Sequence, residues 1–93
     1  MRLGLITGTV TATAKDAGLS GRTLLLADMV DGTGKVVSPA HVAVDTCGAG
    51  VGDTVLILQG SAARLPGPVA GAPVDAAVVA VVDTVTLAPK SKR

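Results

Sequence analysis

The sequence predicts an all-β domain, a small five-stranded barrel or sandwich, on three observations. Val (15) and Thr (10) are abundant, and β-branched side chains suit a pleated, half-buried surface. The straight-chain residues of ordinary helices are scarce and Glu is absent, which argues against an all-α fold. Five β-prone runs are divided by short Gly-, Pro- and Asp-rich breaks, the spacing of small barrels and sandwiches.

Residues 1–14 read as the first strand. Leu3, Leu5, Thr7, Thr9, Thr11 and Thr13 share one face, with Gly4, Ile6, Gly8, Val10 and Ala12 on the other. Gly4 and Gly8 suggest bending or a close backbone approach. Lys15–Gly21 is a polar loop broken by Gly18 and Gly21. Arg22–Val30, with Leu24-Leu25-Leu26, is the second strand. Asp31-Gly32-Thr33-Gly34 is a hairpin turn, its Asp-Gly pair expected to supply the positive-φ positions. Lys35–Ser38 opens the return, and Pro39 is expected at the start of the third strand, where a missing N–H is tolerated.

His41–Asp45 alternates, with Val42 and Val44 facing one way and His41, Ala43 and Asp45 the other. Cys47–Asp53 is a glycine-rich turn and Thr54–Gln59 the fourth strand. Gly60–Arg64 reads as a single helical turn with Ser61 as N-cap. Leu65–Pro73, rich in Pro and Gly, reads as loop. Asp75–Leu87 is the last strand, and its apolar run Ala76–Val82 predicts burial on both faces. Pro89 ends the domain, taken as residues 1–89, and 90–93 form a basic, frayed tail.

Apolar residues make up 48% of the 93, more than one small core hides, since so short a chain buries only about 60–65% of its unfolded surface. The surplus reads as subunit interface. Net charge is +1. Lys90, Lys92 and Arg93 fall in the tail, which leaves 5 basic against 7 acidic residues elsewhere. That is no nucleic-acid footprint, and with no aromatic residue there is no stacking platform for single strands. One Cys forms no internal disulfide, so a reducing compartment is expected. The apolar stretch after Arg2 is broken by Thr7, Gly8 and Thr9 and is too short for a signal peptide. The seven-residue run Ala76–Val82 falls far below the ~20 residues of a membrane span.

Chemistry-bearing residues are few. Gly48-Ala49-Gly50-Val51-Gly52 has G-x-G-x-G spacing and leads into a strand, whereas a dinucleotide loop needs G-x-G-x-x-G opening a helix. It reads as a tight turn, or as glycines that let backbones from several subunits crowd at a symmetry axis. His41 and Cys47, with Asp45 nearby, could form a base and a nucleophile, but a lone Cys is more often a small apolar residue. One His and one Cys do not supply a structural zinc set. Asp83 interrupts an apolar strand on the face of Val79, Val81 and Val85. It is either an exposed strand end or half of a charge pair across a subunit boundary, with Arg64 or Arg22 as donor.

Several stretches, in order, resemble the bacterial microcompartment vertex proteins, the pentameric shell family of carboxysomes and of ethanolamine- and propanediol-type metabolosomes. They are Gly8-Thr9-Val10 with Thr13 and Lys15; Leu19 and Gly21 leading into Leu24-Leu25-Leu26; Asp31 with Gly34; and Val42-Ala43-Val44-Asp45. Next come Gly48-Ala49-Gly50-Val51-Gly52-Asp53 with Val55-Leu56, then Gly60-Ser61-Ala62-Ala63-Arg64. Pro73-Val74-Asp75-Ala76 with Val78-Val79-Ala80-Val81-Val82-Asp83 completes the series. The resemblance implies an OB-like barrel with at most one short helical turn, assembled as a cyclic pentamer. The pentamer would cap the vertices of a shell of hexameric tiles in the bacterial cytoplasm. It implies no enzymatic activity, catalytic residue, cofactor or metal, and as partners only the chain itself and hexameric shell proteins, with no nucleic acid or membrane. On this reading Gly48, Ala49 and Gly50 lie near the five-fold axis, and Ser61, Arg64 and Asp83 at the subunit interface. The sequence departs from the family in its Pro-rich Leu65–Pro73 stretch and its lack of aromatic residues. A different class of function on a similar barrel is an OB-type binding module for nucleic acid or a small ligand.

Overall fold

The computed structural model describes residues 1–13, 15–71 and 73–89; the basic tail 90–93 lies outside them. Five strands, β1 (Arg2–Val10), β2 (Leu24–Val30), β3 (Val36–Asp45), β4 (Thr54–Gln59) and β5 (Ala76–Val81), close into a barrel in the order β1-β2-β3-β5-β4. All neighbours are antiparallel except β3 and β5. That parallel seam is two pairs long, Val44 with Ala77 and Asp45 with Val78. Thr46 extends it by donating its amide (3.2 Å) and hydroxyl (2.7 Å) to the Val78 carbonyl.

The expected all-β barrel is present, with differences at element ends. β1 stops at Val10 rather than Ala14, and β5 at Val81 rather than Leu87. Among the described residues three 3₁₀ turns occur where one was expected: Ala17–Leu19, Gly60–Arg64 and Gly67–Val69. The last lies inside the stretch read as loop, because its Val69 is buried. Ser61 is not an N-cap: Gln59 holds that position and no side chain caps the turn.

The β2–β3 turn takes its left-handed residue at Gly34 (φ 89°), not at Asp31-Gly32. Asp31 accepts at one carboxylate oxygen from the Thr33 amide (2.8 Å), the Thr33 hydroxyl (2.6 Å) and the Lys35 amide (3.1 Å). These bonds favour the ionised form and hold the Asp31 carboxyl below its usual range, the Thr33 hydroxyl first among them.

Pro39 does not begin β3 but sits within it, in a bulge. His41 pairs with Ala27 and Ser38 with Met29, so Pro39 and Ala40 together oppose Asp28. Pro39 has no N–H to lose there, and the Ala40 amide donates to the Asp28 carboxylate at 3.0 Å. Ala40 is held at φ 61°, a conformation strained for any residue with a Cβ.

Alternation divides β2 to β5 between two apolar clusters, while β1 contributes to the inner one alone. Ile6, Leu25, Ala27, Met29, Ala43, Val55, Ile57, Ala76 and Val78 fill the interior. On the outer face Val44 and Ala77 gather with Ala63 and Val69 of the 3₁₀ turns. β5 is therefore covered on both sides only over Ala76–Val78, the first part of the Ala76–Val82 run expected to be buried. Val79 and Ala80 are half-buried and Val81 is exposed, because the outer cluster reaches no farther along the strand than Val79. Gly4 keeps the interior tight: a Cβ there would lie 2.5 Å from Ile57 Cδ1.

Replacing Ala40 by Gly removes the left-handed strain, offset in part by the greater freedom of Gly in the unfolded chain. Ala40 is exposed, so little packing is lost. Ala40→Gly is expected to stabilise the fold by about 0.5–1 kcal/mol in a chemical-denaturation midpoint, and a loss of stability contradicts this account of the bulge.

Candidate functional site

The loop joining β3 to β4 is built on two carboxylates. Asp45, the last residue of β3, accepts from the amides of Cys47 (3.1 Å), Gly48 (3.1 Å) and Ala49 (3.3 Å). Asp53 accepts from the Gly50 amide at 2.7 Å, and its own amide returns to the Gly50 carbonyl at 3.0 Å. Asp side chains fold onto backbone amides a few residues on in this way, in place of a regular ladder. The chain reverses at Gly48 (φ 83°) and Gly52 (φ 93°), with nothing within 4 Å of the Cβ that either lacks. Ile6 anchors the base: its amide donates to the Asp53 carbonyl (3.0 Å) and its carbonyl accepts from Gly52 (2.9 Å).

This arrangement disfavours phosphate binding. The amides of Gly48, Ala49 and Gly50 are taken by carboxylates, which would repel an anion. The loop leads straight into β4 with no helix after it. Gly48 and Gly50 are exposed, and Ala49 is half-buried against the barrel core. The loop is thus rigid at its root and open at its tip.

Ser61 and Arg64 lie in the exposed part of the Gly60–Arg64 turn, which Ala63 fastens to the outer cluster. Neither side chain makes a hydrogen bond or ion pair among the described residues. Asp83 follows β5 and is exposed, with no ion pair among the described residues, so the exposed-strand-end reading describes it within one chain. Sequence reasoning missed the exposed apolar residues around these points. Leu65, next to Arg64, is 78% exposed, Val51 at the loop tip 66% and Leu87 57%. The apolar surplus signalled that such residues exist but not where they stand.

His41 and Cys47 do not form a catalytic unit. His41 Nε2 shares a hydrogen bond with the Ser38 hydroxyl (2.8 Å), and the Cys47 thiol faces Asp45 Oδ1 at 3.8 Å. Partial burial of the sulfur, then the Asp45 charge, push the Cys47 thiol above its ordinary pKa. An activated nucleophile needs the opposite shift. No group of three or more His, Cys or Asp side chains among the described residues is placed to hold a metal ion.

Two measurements test this loop. Asp45→Ala removes the acceptor of three amides and is expected to lower stability by about 1–2 kcal/mol, with Asp45→Asn retaining part of it, as read by urea denaturation. The Cys47 thiol is expected to alkylate only at higher pH than a free thiol. Asp45→Asn should bring the midpoint of the iodoacetamide rate profile back down, and an unmoved midpoint contradicts the part given to the Asp45 charge.

The chain matches the family model described as ethanolamine utilisation protein EutN/carboxysome over residues 1–83. It is 41% identical over 91 residues to the carboxysome shell vertex protein CcmL of Synechococcus elongatus, covering 98% of this chain and 92% of that one. It is 37% identical over 90 residues to the bacterial microcompartment shell vertex protein EutN of Salmonella typhimurium, covering 97% and 91%. Among solved structures, the GrpN pentameric microcompartment shell protein from Rhodospirillum rubrum superposes with a TM-score of 0.85 at 39% identity, covering 96% of this chain and 100% of that one. The chain belongs to the EutN/CcmL family.

Proposed function

We propose that this member of the EutN/CcmL family is a structural vertex protein of a bacterial microcompartment shell. Five copies form a ring that caps a corner where hexameric tiles meet. The observation that carries this reading is the near-complete two-way coverage between the chain and a pentameric shell protein of the same fold. A flat sheet of hexagonal tiles cannot close on itself, and five-fold units supply the curvature that lets it do so. Head-to-tail contacts close into a ring when the rotation per subunit divides the circle.

The surface of the single chain supports such a role. Leu65, Val51 and Leu87 expose large apolar side chains, area that a neighbouring subunit gains by covering. Arg64 has no bond to satisfy within the described chain and is free to serve a neighbour. We assign Gly48, Ala49 and Gly50 to the region of the five-fold axis, Ser61 and Arg64 to contacts with the next subunit or the hexamer edge, and Asp83 to a charge pair across a boundary. Residues 1–89 act as one unit, inside the bacterial cell as part of the shell. The protein works by geometry rather than catalysis, as the names of its shell vertex relatives suggest. No observation favours the nucleic-acid alternative: a chain without an aromatic ring has nothing on which bases stack.

Native mass spectrometry of the purified chain is expected to give five times the subunit mass, and a stable monomer or a ring of another size overturns the reading. Arg64→Ala is expected to leave the barrel's melting unchanged while weakening the ring or its capping of co-expressed shells. Undiminished assembly and closure would remove Arg64 from the interface.

A further inference from the structure

At the end of the barrel where β1 runs out and β2 begins, a cleft of about 280 Å³ opens between Thr9, Val10, Thr11, Ala12, Lys15, Arg22, Thr23 and Leu24. Two of the five basic residues outside the tail meet there, beside three hydroxyls, and no carboxylate lines it among the described residues. We propose that this cleft is a binding site for a small oxyanion of the phosphate or sulfate type, held by Lys15, Arg22 and the threonine hydroxyls.

Both cations are held in place by the backbone. Lys15 Nζ donates to the Ala12 carbonyl at 2.9 Å, and Arg22 Nε donates to the Gly18 carbonyl at 2.7 Å. Ordering two long side chains in advance removes much of the entropic penalty of gathering them around a ligand. The segment carrying them is itself organised. Asp16, the acid next to Lys15, accepts from the Gly18 amide at 2.8 Å, starting the Ala17–Leu19 turn, and the Arg22 amide closes onto the Leu19 carbonyl at 3.2 Å. Thr9, Thr11 and Thr23 are exposed and their hydroxyls make no hydrogen bond to another described residue, so each can donate to an anion. Val10, Ala12 and Leu24 form an apolar wall that lowers the local dielectric and strengthens charge-assisted bonds. The site is independent of the glycine loop, whose amides are already taken by Asp45 and Asp53, and the inference does not depend on ring size.

The same chemistry could come from a free anion or from a carboxylate of a neighbouring copy, and the proposal is the free anion. The purified full chain is titrated with inorganic phosphate, and separately with sulfate, against sodium chloride at equal ionic strength, with Tm read by far-UV circular dichroism. A saturable rise of about 7 °C at tenfold excess over Kd is expected, absent with chloride. Lys15→Gln is expected to keep the unliganded Tm and to raise the half-saturating phosphate concentration about fivefold or more. Thr23→Val should raise it less. Because Arg22 also fastens the loop, Arg22→Lys serves in place of truncation and should weaken binding with the fold intact. No rise, a rise matched by chloride, or an equal half-saturation in Lys15→Gln overturns the proposal. No rise together with a ring that dissociates in Lys15→Gln also overturns it, in favour of the neighbour's carboxylate.

Discussion

A barrel with no aromatic ring in it must be narrow, and that constraint governs the rest of the fold. Its interior is filled by Ile6, Leu25, Met29, Val55, Ile57 and Val78 with three alanines, none bulky enough to span a wide space. Native interiors leave few voids larger than a water molecule, so the strands must close in until these side chains touch. Gly4 permits the closest approach, yielding to Ile57 the space its own side chain would take. Narrowness in turn exhausts the interior, and the remaining apolar residues must find cover elsewhere. Some find it in the outer cluster beneath the two 3₁₀ turns, while Leu65 and Val51 find little among the described residues.

The loops attached to this small barrel are stiffened by side chains rather than by length. Asp16, Asp31, Asp45 and Asp53 each accept backbone amides of their own turn. A chain without Glu thus spends four of its seven Asp residues on loop geometry. This explains why so many carboxylates yield neither a metal cluster nor an acid–base pair. It also explains why the glycine loop, despite its amides, has no room for an anion, whereas the cleft flanked by Lys15 and Arg22 has no carboxylate lining it among the described residues.

Much of this was legible in the sequence where local pattern and tertiary structure agree. Thr54–Gln59 is a strand with the limits its pattern suggested, and the alternation of Val42, Ala43 and Val44 holds, with Ala43 facing the interior. The bulge was not legible, because Pro39 suits a strand start and an internal bulge equally well, and only the pairing of Ser38 with Met29 decides between them. The hairpin glycine was displaced from Gly32 to Gly34 because a three-residue turn with Asp31 as acceptor competes with the two-residue turn that Asp-Gly suggests. Leu65–Pro73 looked featureless since its order comes from burying Val69 against a distant strand, a contact that composition does not encode. The exposed apolar side chains were legible as a class, through the apolar surplus, but not by position.

The parallel join between β3 and β5 is the shortest in the barrel, two residue pairs and a threonine clasp. A closed sheet opens first along its weakest line, and here that line runs beside Val42 and Val44, one exposed and one covered by the two 3₁₀ turns. A subunit alone in solution would therefore breathe at this suture. Neighbours pressing on the outside would brace it, making each corner piece stiffer once installed than while it waits.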